Sequence, residues 1–253
     1  MAKPDVSSVN PKKGRLLSTV PRSPMRITMD SSTFNTLSPG QNGAPTTTTT
    51  NLAFIWKAMQ VAAFFYMSRL QVYPLVNIFA PMNCTDDYFT PPNDQTFGIS
   101  ASDLHIYVTY TTDRLKTYGA TGKSCKYFGD RLSSPPDDTL QLGRPTVGRI
   151  IFNTYALIDS VPALTNRLFQ SIVATALHET LHILGMDSTL YPYWLDSNPS
   201  SGRYSNTYTA TTISASGTIH GSRPSSTMFL ITPNVRAWTR TFFNCATAPG
   251  MLL

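Results

Sequence analysis

One short segment constrains this chain more than any other: His178-Glu179-Thr180-Leu181-His182. Glu179 is the only glutamate in the 253 residues, and it lies between two of the four histidines. Residues four apart lie on the same face of a helix, so His178 and His182 can bind one zinc ion between them. Glu179 would then lie beside the metal, where a carboxylate can accept a proton from water. The segment predicts a zinc-binding helix that also carries a general base.

The residues around this motif have the spacing of an amphipathic helix between positions 164 and 184. In a helical projection, the apolar arc consists of Val173, Leu177, Leu181 and Leu184, extended by Phe169 and Ala176. His178 and His182 fall outside this arc, so we expect both side chains to face away from the core. Gly185 follows directly, where a left-handed residue can end the helix. A pair of buried core histidines is the alternative, but it leaves the position of Glu179 unexplained.

The distribution of charge argues against nucleic-acid binding. The net charge is +6, but residues 1–50 contain six basic residues and only two aspartates, which leaves +2 for the other 203 residues. A basic tail on a nearly neutral body is not a nucleic-acid-binding face. No stretch reaches the roughly 18 to 20 apolar residues of a membrane helix, and the N-terminus lacks the apolar region of a signal peptide. We therefore expect no nucleic-acid partner. We also expect neither a transmembrane helix nor a signal peptide in this chain.

Composition divides the chain into a leader and a folded domain. Residues 1–50 are basic and rich in Ser, Thr and Pro, which predicts a disordered leader. Beyond it the pattern predicts a helix, then several strands, the motif helix and a last helix that opens at Thr232-Pro233. The predicted elements are helices at 52–70, 164–184 and 233–243, and strands at 72–76, 103–110, 124–128 and 147–152. This order predicts an α+β domain with a mixed sheet over residues 51–253.

Several segments of this domain resemble the leishmanolysin family of zinc metalloproteases, within the metzincin clan. The similar segments, in chain order, are residues 102–108 (Ser-Asp-Leu-His-Ile-Tyr-Val), 143–148 (Gly-Arg-Pro-Thr-Val-Gly), 178–185 (His-Glu-Thr-Leu-His-Ile-Leu-Gly), 230–235 (Leu-Ile-Thr-Pro-Asn-Val) and 242–245 (Phe-Phe-Asn-Cys). The resemblance implies a metzincin-like peptidase domain with one Zn²⁺ ion, bound by His178 and His182, and with Glu179 as the general base. It also implies a disulfide between Cys84 and Cys125, and an edge strand at residues 123–128 that pairs with extended substrates.

The third zinc ligand departs from the pattern of the clan. A typical metzincin places a histidine six residues after the second one, where this chain has Ser188. The leishmanolysin family places its third histidine well beyond the Phe-x-Cys helix, so the resemblance predicts a ligand beyond Leu253, in a chain truncated at its C-terminus. Within the chain, His220, Asp187 and Asp196 are weaker candidates. A thermolysin-type site needs a second glutamate, which this chain lacks.

The resemblance therefore implies a zinc-dependent metalloendopeptidase that hydrolyses peptide bonds in proteins or peptides. The alternative is a catalytically inactive cell-surface protein that acts in adhesion or binding, or a fragment that lacks the third ligand. The family relationship also implies an extracellular or cell-surface location, with association to a membrane surface. We expect a monomer.

Overall fold

The computed structural model describes residues 21–85, 87–128, 144–187, 208–213 and 225–252. The chain divides into two compact units, residues 1–185 and residues 186–253, and each unit is described by itself. The elements of the first unit are β1 (Ser23–Pro24), β2 (Ile27–Asp30), a 3₁₀ turn (Ser32–Asn35), α1 (Thr49–Met67), β3 (Gln71–Val72), β4 (Asn77–Ile78), α2 (Pro92–Thr96), β5 (Ile99–Ser100), β6 (Leu104–Thr111), β7 (Ala120–Tyr127), β8 (Pro145–Asn153), a π-helical turn (Tyr155–Asp159) and α3 (Asn166–Ile183).

A four-stranded mixed sheet is the centre of this unit, with strand order β2-β6-β8-β7. Strands β2, β6 and β8 run parallel, while β7 pairs antiparallel with β8 and forms one edge. The predicted strands at 103–110 and 147–152 are confirmed as β6 and β8, because runs of β-branched and aromatic residues favour extended pairing. The predicted edge strand at 124–128 is also confirmed, although β7 begins four residues earlier, at Ala120.

Helices α1 and α3 cover one face of the sheet. The predicted helix at 52–70 is confirmed as α1, but it begins within the threonine run, where the Thr48 hydroxyl accepts a hydrogen bond from the Asn51 amide. The main core lies between these helices and the sheet; its largest fully buried side chains include Ile55, Met59, Ile106, Ile150, Phe152 and Ile172. The Tyr66 hydroxyl donates to the carbonyl oxygen of Leu177 at 2.9 Å, which ties α1 to α3.

The opposite face of the sheet is covered by residues 73–85 and 87–97, and a second apolar cluster between them contains Leu75, Ile78 and Tyr107. A disulfide between Cys84 and Cys125 links this segment to β7, with Cα atoms 4.9 Å apart, so the predicted pairing is confirmed. The predicted strand at 72–76 is wrong beyond Val72. Pro74 cannot donate a ladder hydrogen bond, and the Leu75 amide donates to the buried Asp103 carboxylate at 2.7 Å instead.

The prediction of a disordered leader through residue 50 is wrong for residues 21–50, while residues 1–20 lie outside the described residues. Strand β2 pairs in parallel with β6, in the register Ile27 with Leu104. Next to it, Arg26 Nε donates to the Asp103 carboxylate at 2.9 Å. A partner 77 positions away stabilises this strand, so local composition could not indicate it. The extent of the peptidase domain, residues 51–253, stays a prediction.

The second unit contains a three-stranded antiparallel sheet of order β11-β10-β9 and one helix. Its elements are β9 (Tyr208–Ile213), β10 (Ser225–Leu230), α4 (Pro233–Phe242) and β11 (Met251–Leu252). Helix α4 confirms the helix predicted from Thr232-Pro233, because proline is well suited to the first helical position. Cys245 follows α4 with an exposed, free thiol. Within the described part of the chain, no helix has the length and apolar character needed to cross a membrane.

Candidate metal centre

Helix α3, Asn166–Ile183, carries the whole His-Glu-Thr-Leu-His motif in its last two turns. The Thr165 hydroxyl accepts a hydrogen bond from the Leu168 amide at 3.1 Å and caps the start of the helix. Gly185 follows the helix with φ of 109°, a backbone conformation that L side chains rarely adopt. A cap at one end and a left-handed glycine beyond the other therefore define the helix that presents the motif, as the sequence predicted.

The buried face of α3 differs from the predicted arc. Its most buried residues are Ile172, Ala176, Glu179, Thr180 and Ile183, whereas Leu181 is 36 % exposed. This face is rotated by about 100° from the predicted one, which is one residue step along a helix. The reason is that α3 has two neighbours. The predicted arc packs partly against α1, through contacts such as that between Phe54 and Phe169, while the adjacent face packs on the sheet.

The two motif histidines converge on one point outside the core. The Nε2 atoms of His178 and His182 lie 3.0 Å apart; His178 is exposed and His182 is half-buried. Two nitrogens that bind the same zinc ion at about 2.0–2.1 Å in a tetrahedral arrangement lie roughly 3.3 Å apart. The observed separation is within a few tenths of an ångström of that value. Neutral imidazole nitrogens are common metal ligands, so a pair at this separation fits one zinc ion.

Glu179 lies on the adjacent, buried face of α3, with only 8 % of its surface exposed. An open cleft of about 400 Å³ runs beside it, lined by Gly119 and Ala120 at the start of β7 and by five residues of α3, among them His178 and Glu179. The cleft therefore places one candidate metal ligand and the candidate base against the edge strand of the sheet.

Strand β7 approaches α3 closely at the position of Glu179, and sequence reasoning missed the residues responsible. A Cβ atom built on Gly122 would meet the carbonyl oxygen of Glu179 and lie 2.9 Å from its carbonyl carbon. Ser124 is the next residue on the same face of β7, and its hydroxyl donates a hydrogen bond to the carbonyl oxygen of Ile183 at 2.7 Å. These contacts fix the height of α3 over the sheet. Gly122 lies just before the predicted edge strand; had the strand been extended to include it, the glycine would have been the available signal, because a glycine within a strand often marks a close backbone approach.

The third ligand is not established by the described residues. Within them, no group of three or more His, Cys, Asp or Glu side chains is placed to hold a metal ion. Asp187 is described and half-buried, while His220 and Asp196 lie outside the described residues, as does Ser188. His105 belongs to β6, where its Nδ1 is 2.8 Å from the Thr28 hydroxyl, so it is a strand side chain. All the candidates for the third ligand stay predictions, including one beyond Leu253.

Comparison with known families decides the assignment. The family model of the leishmanolysin peptidases matches residues 55–253, which is most of the chain. The chain belongs to the leishmanolysin family. A search of characterised proteins finds no significant match. Membership supports a peptidase, which is a hydrolase acting on protein substrates, and the mixed α and β architecture agrees with a peptidase domain.

Proposed function

We propose that this leishmanolysin-family chain is a zinc-dependent metalloendopeptidase, with His178 and His182 as zinc ligands and Glu179 as the general base. The observation that supports this most is the pair of Nε2 atoms at 3.0 Å, presented beside a cleft that also contains Glu179. Imidazole nitrogens are preferred zinc ligands, and catalytic sites add a third protein ligand while leaving one position open. The third ligand is one of the candidates named above.

In the proposed hydrolysis of a peptide bond, the metal ion and Glu179 have different roles. Zinc bound at such a site supplies Lewis acidity, which polarises a peptide carbonyl and makes water a nucleophile near neutral pH. Glu179 accepts the proton of the attacking water on its carboxylate and returns it to the amine that leaves. Glu179 is buried and its backbone lies against Gly122 of β7, so the helix position that carries the base is fixed while the substrate changes.

The substrate is proposed to bind as an extended segment along β7. In the described sheet β7 pairs only with β8, so its other edge presents main-chain groups to a further strand. An added peptide would make main-chain hydrogen bonds there, largely independent of its sequence. This arrangement agrees with an endopeptidase, which must accept the interior of a chain. The expected location is extracellular or at the cell surface, in contact with a membrane surface, and the expected state is a monomer.

The test combines zinc content with turnover in the purified protein. The wild-type chain should contain one zinc per chain and cleave a protein substrate. Glu179→Gln should retain zinc and lose about 10²- to 10⁴-fold in kcat, because it removes only the base. His178→Ala and His182→Ala should lose both properties. His105→Gln is the matched control, since it removes an imidazole that lies in β6 and should leave zinc content unchanged.

Two outcomes would contradict the proposal. Equal loss of zinc and turnover in Glu179→Gln would rule out the assigned role of the glutamate. A well-folded wild-type chain that contains no zinc and cleaves nothing would favour the inactive binding protein instead. The same measurement identifies the third ligand: loss of zinc in only one of the variants His220→Ala, Asp187→Ala and Asp196→Ala would assign it, and retention in all three would favour a ligand outside this set.

A further inference from the structure

The edge strand beside the cleft carries an unbalanced positive charge. Residues 114–128, which include β7 and the turn before it, contain four basic residues and no acidic residue; the basic residues are Arg114, Lys116, Lys123 and Lys126. Glu179 is the only carboxylate among the residues that line the cleft. A peptide that adds to β7 therefore meets two lysines, Lys123 and Lys126, in the second half of the strand. The chemistry of this edge is complementary to acidic side chains.

The register of β7 shows which face Lys123 occupies. Gly122 and Ser124 contact α3, so Lys123, which lies between them, projects from the opposite face of the sheet, where it is exposed. Its partner in β8 is Arg149, and the charge of Arg149 is already balanced by Asp87, whose carboxylate lies 2.6 Å away. Among the described residues no carboxylate forms an ion pair with Lys123, so its ammonium is an additional positive charge at this position.

A β-bulge brings Lys126 to the same face. Residues three apart in a regular strand project from opposite faces. The register shift between Ser124 and Lys126 changes this, because Lys126 pairs with Val147 while Lys123 pairs with Arg149. Val147 and Arg149 are two apart and share a face, and directly paired residues also share a face. The two lysines therefore project from one side of the edge strand.

Neither lysine forms an ion pair with another described residue. The ion pairs of the described residues join Arg26 and Arg144 to Asp103, and Arg149 to Asp87. Lys123 is exposed and Lys126 is half-buried, so both ammonium groups can pair with acidic side chains of a peptide along β7. An extended peptide directs every second side chain to this face, so it can bring acidic residues to both lysines without bending.

We propose that Lys123 and Lys126 select substrates with acidic residues at alternate positions of the segment that binds along β7. This inference rests on the proposed peptidase function and adds its substrate class. Exposed ion pairs change an equilibrium by up to roughly five-fold each, so the preference is a matter of several-fold to about twenty-fold in kcat/KM. This preference for acidic substrates decreases as the salt concentration rises, because the screening length falls from about 10 Å at 0.1 M to about 3 Å at 1 M.

The experiment compares three peptides of one length that differ only at two alternate positions, which hold Asp, Asn or Lys. Wild-type protein should cleave the Asp peptide fastest at low salt, mainly through a lower KM, and the difference should shrink at 1 M salt. Lys123→Glu and Lys126→Glu should each reduce or invert the preference. Lys57→Glu, an exposed residue of α1 with the same change of charge, should leave it intact. Placing the two Asp residues at consecutive positions should weaken the effect, because one would then face away from the lysines.

Binding of the same peptides to Glu179→Gln, measured by fluorescence anisotropy, separates this inference from the proposed function. Equal kcat/KM for the three peptides in the wild-type protein would overturn the inference and leave the peptidase function standing. A preference unchanged in both lysine variants would overturn the assignment to these residues. Preferential binding of the Asp peptide without any cleavage by wild-type protein would support the inference and contradict the peptidase function. Absence of both cleavage and preferential binding would overturn the two together.

Discussion

Replacing Gly122 by alanine tests the closest approach between β7 and α3. The added Cβ would meet the backbone of Glu179, at 2.9 Å from its carbonyl carbon and 3.1 Å from its Cα atom. Because the obstacle is helix backbone, a change of rotamer cannot relieve the contact, and α3 has to move away from the sheet. Such overpacking costs about 1–3 kcal/mol of unfolding free energy. In a unit of this size that corresponds to a decrease in Tm of roughly 2–12 °C.

The same displacement moves Glu179, so kcat/KM should fall by up to about 100-fold for a shift approaching 1 Å. The matched control is Gly119→Ala, where the nearest obstacle is the flexible end of Leu157, with Cδ2 at 2.8 Å; we expect a loss within about 1 kcal/mol. Thermal unfolding followed by circular dichroism, with zinc removed by a chelator, measures the stability of both variants without the contribution of metal binding. Equal Tm values for the two variants, with unchanged kcat/KM in Gly122→Ala, would refute the close approach.

Three further predictions concern the remainder of the first unit. Burial lowers the pKa of His105, so this imidazole binds a proton less readily in the folded state than in the unfolded state. The free energy of unfolding should therefore be unaffected by His105 above about pH 6.5 and should decrease as the pH falls below that value. His105→Gln should flatten this part of the pH profile in denaturant titrations. Asp103→Asn should cost about 3 kcal/mol, because Asp103 is fully buried and accepts hydrogen bonds from Arg26 and the Leu75 amide; a loss below about 1 kcal/mol in urea unfolding would contradict this. Replacing both Cys84 and Cys125 by serine should destabilise the protein by about 2–4 kcal/mol, since the disulfide closes a loop with a sequence separation of 41; an unchanged Tm relative to the oxidised wild type would argue against it.

The elements that could be predicted are those whose cause is local. Helices α1, α3 and α4 follow from periodicity, caps and a proline at the first turn, and β6 and β8 follow from runs of β-branched residues. Strand β2 could not be predicted, because its residues become a strand only by pairing with β6, next to the contact of Arg26 with Asp103. The most buried face of α3 was also predicted incorrectly, since the helix packs on both α1 and the sheet.

The features of the candidate site can likewise be separated into those with a local cause and those that depend on the tertiary structure. The sequence alone determined the pair of histidines and the adjacent glutamate, because residues i and i+4 of any helix lie on one face and the residues around the motif have helical spacing. Only the tertiary structure decided what surrounds them: the cleft beside β7, the burial of Glu179 against Gly122, and the common face of the two lysines. These features depend on the distance between elements far apart in the chain and on one extra residue in a bulge, and neither follows from local spacing.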